Sequence, residues 1–148
     1  MSIFSSFNTA ASALTAQRLR MDVISSNLAN AETTRAKMNA NGEYEPYRRK
    51  MVQLETDKPN FATYLENASA NQTPGVKVAK IAEDEEPFKL VYNPGHPDAN
   101  AEGYVQMPNV DPLKEMVDLM SSTRSYEANV TALNATKGML MKALEIGK

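Results

Sequence analysis

The residues able to do chemistry are few, and they do not converge. Glu83-Asp84-Glu85-Glu86 places four carboxylates in a row, a set that could hold a cation or pass a proton. Calcium loops, however, distribute their oxygens around a turn enforced by glycine, and no glycine interrupts this run. It reads as a solvated loop. The single histidine, His96, would need a companion His or Cys to bind zinc, or a nucleophile elbow to act as a base. Neither accompanies it, and the expected role is that of a turn histidine bonded to backbone. Cysteine is absent, which excludes disulfides, thiolate metal sites and cysteine nucleophiles. Arg48-Arg49-Lys50 is the dense basic cluster. With no stacking motif or second basic patch beside it, it reads as an exposed edge or an inter-subunit salt-bridge site. No catalytic, cofactor-binding or metal-binding set is assigned, and the chain is not expected to be an enzyme.

The whole-chain quantities point the same way. A length of 148 residues suits one domain, or one small domain carrying extended helices. A net charge of −2 gives no electrostatic footprint for nucleic acid or an anionic membrane. No apolar run approaches the ~20 residues of a membrane span. The opening MSIFSSFNTAASA lacks a basic n-region and a continuous apolar stretch, so no cleaved signal peptide is expected.

The elements that must position these residues are announced by breakers. All eight prolines lie from Pro46 to Pro112, and no glycine precedes Gly42. The spacing predicts α+β: long N- and C-terminal helices forming a coiled-coil-like core, with a small irregular β-rich middle containing a hairpin. The divisions are 1–35, 36–110 and 111–148. On the first helix, Ile3, Phe7, Leu14, Met21, Ile24 and Leu28 follow an alternating 3-4 spacing, with Gln17 as a polar intrusion. On the second, Met116, Leu119, Tyr126, Val130, Leu133, Leu140 and Leu144 do the same. Such seams demand partner helices, either within one subunit or across subunits. Leu19 and Val23 add a second apolar flank. Arg124 and Glu127 stand one turn apart, as an intrahelical ion pair would. Gly138 admits a close backbone neighbour.

In the middle, Arg48–Glu55 reads as a strand with Val52 and Leu54 on one face. Val76–Ile81 and Phe88–Tyr92 read as strands joined into a hairpin by the acidic run. Phe61, Tyr64 and Leu65 suit a helical turn, and 67–71 a linker. Pro94-Gly95 favours a type II turn. Asp111 followed by Pro112 is a helix start.

Three stretches carry a resemblance. ALTAQRLRMDVISSNLANAETT, centred on Ser26-Asn27-Leu28-Ala29-Asn30, resembles the N-terminal signature of bacterial flagellar axial proteins, above all the basal-body rod proteins. YNPGHPDANAEGYVQMPNV, with Pro94, Gly95, His96, Pro97 and Asp98, resembles the segment before the last helix in proximal rod subunits, and RSYEAN and KALEIG resemble that helix. The resemblance implies a structural subunit of the proximal rod, assembling helically through its terminal helices into the shaft between membrane ring and distal rod. It implies homotypic copies, rod protein B, the distal rod proteins F and G and the basal-body adaptor FliE as neighbours. It further implies passage through the flagellar type III export apparatus, with no nucleic acid, no membrane span and no cofactor. The alternative is a soluble helical adaptor that binds one partner through its terminal hairpin.

Overall fold

The computed structural model describes residues 3–39, 42–57 and 74–146, with side chains from Ser6 onward. The breaker-free tails form the two helices. Helix α1 spans Ile3–Ala29 and helix α2 spans Pro112–Ile146. The start of α2 is built as its sequence dictates: Leu113 N–H donates to Asp111 Oδ1 at 3.0 Å, and Pro112 takes the first position, where no N–H is needed. Hydroxyl side chains along both helices bond back to their own turns, as Thr15 Oγ1 does to Ala11 O at 3.1 Å and Thr136 Oγ1 to Ala132 O at 3.0 Å.

Between the helices lie short strand pairs, and the fold is α+β. Strand β1 (Lys37–Met38) pairs antiparallel with β2 (Tyr44–Glu45), and Gly42 takes a positive φ in the segment joining them. Strand β3 (Lys50–Thr56) pairs with β4 (Val76–Glu83). Strand β5 (Lys89–Tyr92) pairs antiparallel with β6 (Tyr104–Met107), aligning Tyr92 with Tyr104.

This pairing corrects two expectations. The acidic run does not close a hairpin between 76–81 and 88–92, because each of those strands takes another partner. Asp84 N–H donates to Arg49 O at 2.8 Å, and Asp84 Oδ1 accepts from Glu86 N at 3.1 Å, so the run is held at Arg49, the residue before β3. Nor is the Pro94-Gly95 turn of type II. His96 N–H reaches Asn93 O at 3.2 Å, but Gly95 is not among the positive-φ glycines. Asn at the first position and Pro at the second suit type I equally well, and that type leaves Gly95 at negative φ. The positive φ falls instead on Gly103 (+82°), where an added Cβ would lie 2.9 Å from the Tyr92 ring. The expected helical turn at Phe61, Tyr64 and Leu65 and the linker at 67–71 lie outside the described residues.

By Cα proximity the chain forms two compact units. One comprises Asp22–Met51 and Ile81–Met120; the other comprises Met1–Met21, Val52–Lys80 and Ser121–Lys148. In the first, Val23, Ile24, Tyr47, Val105 and Val110 make the apolar core. In the second, Ala16 is buried, Ser12 Oγ accepts from Val76 N at 3.1 Å, and Thr123 Oγ1 lies 3.6 Å from Met21 Sδ.

Helix α2 is turned inside out relative to an ordinary globular helix. Its buried line is polar and falls on steps of seven or fourteen residues: Glu115, Ser122 and Thr136. Large apolar side chains face outward instead, among them Leu113 (75 % exposed), Val117, Met120 and Leu144 (71 %).

Candidate functional site

Polar side chains from separate stretches meet in the first unit, and Asn27 is at their centre. The α1 periodicity turns Asn27 inward with Ile24 and Val23, where it is 1 % exposed. A buried primary amide must find partners for two donors and an oxygen with two lone pairs. Here all are met. Asn27 Nδ2 donates to Lys50 O at 2.8 Å and to Glu115 Oε2 at 3.0 Å. Its Oδ1 accepts from Lys50 N at 2.9 Å and from Tyr47 OH at 3.0 Å. The side chain therefore bonds both backbone groups of one β3 residue and ties them to the first turn of α2.

Glu115 is 0 % exposed, and its other oxygen accepts from Arg49 Nε at 2.7 Å. A buried carboxylate is tolerated only when paired and hydrogen-bonded, and its place in the first turn of α2 adds the favourable helix dipole. Arg49 also donates to Asp84 Oδ2 at 3.1 Å and lies 3.7 Å from Asp118. Burial pulls the Arg49 guanidinium down, but hydrogen bonds to Glu115 and Asp84 outweigh it and hold the group above its ordinary value. The Glu86 N–H bond, with the Arg49 contact behind it, holds the Asp84 carboxyl below the usual aspartate range against its own desolvation. Asn109 completes the arrangement: its Oδ1 accepts from Arg49 N at 2.8 Å, and its Nδ2 donates to Glu86 O at 3.1 Å. Chemically this is a lock, in which the polar groups are spent on other parts of the same chain.

Within the basic cluster the three side chains take different places, and Lys50 is exposed. Arg49 is internal, Arg48 lies over the Phe88 ring at 4.5 Å, and Lys50 lies over the Tyr47 ring at 5.6 Å. Of the first motif, Ser26 Oγ sits 3.4 Å from Tyr47 OH, and Asn30 Nδ2 donates to Ser26 O at 2.9 Å where α1 ends. Leu28 is half-buried and Ala29 exposed. Of the second motif, Asp98 accepts from Arg35 Nε at 2.7 Å and Thr34 Oγ1 at 2.8 Å, while His96 Nδ1 accepts from Asp98 N at 3.1 Å, the backbone bond expected of a turn histidine. Pro94 is exposed, as is Gly95. The hydrogen bonds of the two motifs thus run to different segments: Asn27 holds β3 and α2, and Asp98 holds the stretch that follows α1.

The expected seam residues are spread over several environments. Ile24 is buried, while Leu14, Met21, Leu119, Tyr126, Val130, Leu133 and Leu140 are half-buried. Phe7, Met116 and Leu144 are exposed, and the Ile3 side chain is outside the described residues. Of the second flank, Val23 is buried and Leu19 half-buried. Arg124 and Glu127 form no ion pair among the described residues, contrary to the spacing-based expectation.

Sequence reasoning missed Tyr47, Arg49, Asn109 and Glu115, which surround Asn27. An acidic residue in the first turn of α2 was a legible signal for the helix dipole. Nothing in the spacing connected it with Arg49, 66 positions away.

Comparison with known proteins settles the family. Residues 7–37 match the family described as flagella basal body rod protein, and residues 101–146 match the C-terminal family of the flagellar basal body rod FlgEFG proteins. The flagellar basal-body rod protein FlgC of Bacillus subtilis (strain 168) is 69 % identical over 151 residues, covering both chains completely. The chain belongs to the flagellar basal-body rod protein FlgC family. The Salmonella typhimurium FlgC is 44 % identical over the full length of both chains, and the Borreliella burgdorferi FlgC is 43 % identical, covering 99 % of this chain and 98 % of its own. As a member of the FlgC family, the chain is a structural subunit of the bacterial flagellar basal-body rod. The matched segment 7–37 contains Asn27, and 101–146 contains Asn109 and Glu115, so the lock joins the two family regions.

Proposed function

We propose that the chain is a proximal-rod subunit that polymerises helically through 1–35 and 111–148, with 36–110 carried outside that helical layer, and that it has no catalytic role. Its neighbours are further copies of itself, rod protein B, the distal rod proteins F and G and the adaptor FliE. It reaches the rod through the type III export apparatus. The observation that carries this reading is the inverted helix α2, whose exposed side chains include Leu113, Met116, Val117 and Met120 near its start and Met139, Met141, Leu144 and Ile146 near its end. So much apolar surface along one helix marks a contact awaiting partners. A contact between unlike faces of successive copies does not close and builds a helical array.

The test is complementation in a strain lacking its own rod subunit of this type. The tagged chain should co-purify with basal bodies and restore swimming. Retention in the cytoplasm with no swimming would overturn the reading.

A further inference from the structure

Two helix faces are left with charges and gaps that fit each other. On α1, Phe7, Leu14, Arg18, Ser25 and Ala29 lie on one stripe at seven- and four-residue steps, and all but the half-buried Leu14 are exposed. On α2, Gly138, Thr131, Glu127, Met120 and Met116 are exposed on one stripe and descend by the same steps. Set antiparallel, the two stripes pair large against small at each level. Phe7 meets Gly138, beside which an added Cβ would find nothing within 4 Å. Leu14 meets Thr131, and the small Ser25 and Ala29 meet Met120 and Met116.

The charges decide the direction. Arg18, Asp22, Arg124 and Glu127 are all exposed and form no ion pair among the described residues. In the antiparallel arrangement Arg18 faces Glu127, while Asp22 comes within one position of Arg124. In a parallel arrangement with Arg18 against Arg124, Asp22 comes within one position of Glu127 and both contacts repel. Shifting to put Arg18 on Glu127 leaves Asp22 unpaired. Neither stripe includes the inward residues Asn27, Glu115 or Ser122.

We propose that the outer face of α1 in one copy packs antiparallel on the outer face of α2 in a second copy, in the register that sets Arg18 against Glu127 and Phe7 over Gly138. This rests on the rod-subunit reading and names the partner and the register of its contact. Because the two faces differ, each copy offers one and accepts the other, and the contact propagates.

The absence of cysteine makes the test direct. Two differently tagged full-length chains, one carrying Arg18→Cys and the other Glu127→Cys, are co-expressed, and basal bodies are purified and oxidised. Facing Cα atoms within ~7 Å can form a disulfide, so a cross-linked pair bearing both tags is expected. Arg18→Cys with Met116→Cys, displaced by about 16 Å along α2, should give none. As a cysteine-free measurement, Arg124→Glu should lower swimming by about fivefold through like-charge contact, and adding Asp22→Arg should restore it. Three results would each overturn the register: a link from position 18 to a different basal-body protein, linking to position 116 as strong as to position 127 or no linking to either, and no rescue by Asp22→Arg. Incorporation and swimming of the cysteine variants would persist in the first two cases, leaving the rod-subunit reading intact. If the unaltered chain never enters basal bodies, that reading falls and this one falls with it.

Discussion

The region around Asn27 and the outer stretches of the two helices use similar residues to opposite ends. Around Asn27 the buried polar side chains have partners, and the apolar side chains Val105 and Val110 are almost wholly covered. In the other unit Gln17 Oε1 and Ser122 Oγ are buried without a hydrogen bond, and on α2 Met139, Met141 and Leu144 are exposed. A protein that folds for its own sake satisfies its buried polar groups and hides its large apolar ones. This chain does so chiefly around Asn27. The difference teaches that stability and assembly are divided between faces: the inward side chains around Asn27 fix the relation of the family's two matched segments without outside help, while outward apolar side chains of α2, from Leu113 and Met120 to Met139 and Leu144, are left for neighbours.

The largest expected effect sharpens that contrast at its stable side. Asn27→Ala removes the side chain's hydrogen bonds and leaves Glu115 and both Lys50 backbone groups short of partners, so it should destabilise the chain by about 3–5 kcal/mol. Urea unfolding followed by circular dichroism would show it as a lower midpoint. Gly103→Val combines a disfavoured positive φ with a clash against Tyr92 and should destabilise by about 2–3 kcal/mol in the same assay. Gly138→Ala works in the opposite direction. It fills open space on α2, so the isolated chain should gain up to about 1 kcal/mol of stability, while swimming declines because Phe7 loses its seat. If Gly138→Ala left motility unchanged, the division between the two regions would break at this point.

Acid should act on the stable side first. The folded-state pKa of Asp84 is depressed, so its contribution is complete above the unfolded value of about 3.9 and is lost as pH falls through the lower folded value. Asp98, held down chiefly by its hydrogen bond from Arg35, behaves likewise. Amide exchange near Asn27 and Arg49 should therefore accelerate below about pH 4, and Asp84→Asn should flatten that dependence. The smallest effect is expected at Ser122, whose hydroxyl has no hydrogen bond to lose: Ser122→Ala should change stability by no more than about 0.5 kcal/mol.

Much of this architecture was legible in the sequence where the signal is local. The start of α2 at Asp111-Pro112, the extent of α1 and the strands read at 76–81 and 88–92, observed as Val76–Glu83 and Lys89–Tyr92, follow from capping, breaker distribution and strand-forming residue content. Strand partners did not, because pairing is decided by which neighbour a strand meets, and the acidic run that suggested a hairpin is taken up by Arg49. The burial of Glu115, Ser122 and Thr136 was hidden for a related reason. Periodicity assigns the apolar stripe to the inside, whereas on α2 that stripe is only half-buried, with Met116 and Leu144 exposed, and the fully buried positions are polar. The SNLAN motif was recognisable as a pattern, but its physical purpose became visible only when Lys50 and Glu115 were seen beside Asn27.

One consequence of that contact concerns the stretches of bare sheet that short strand pairs leave behind. Arg49 N–H is met by Asn109 and Arg49 O by Asp84, while both backbone groups of Lys50 are met by Asn27. The beginning of β3 is thereby stoppered along both margins, and a foreign strand has no rung there on which to hydrogen-bond. For a subunit surrounded by many identical copies, such plugs steer association away from β-stacking and toward the helices.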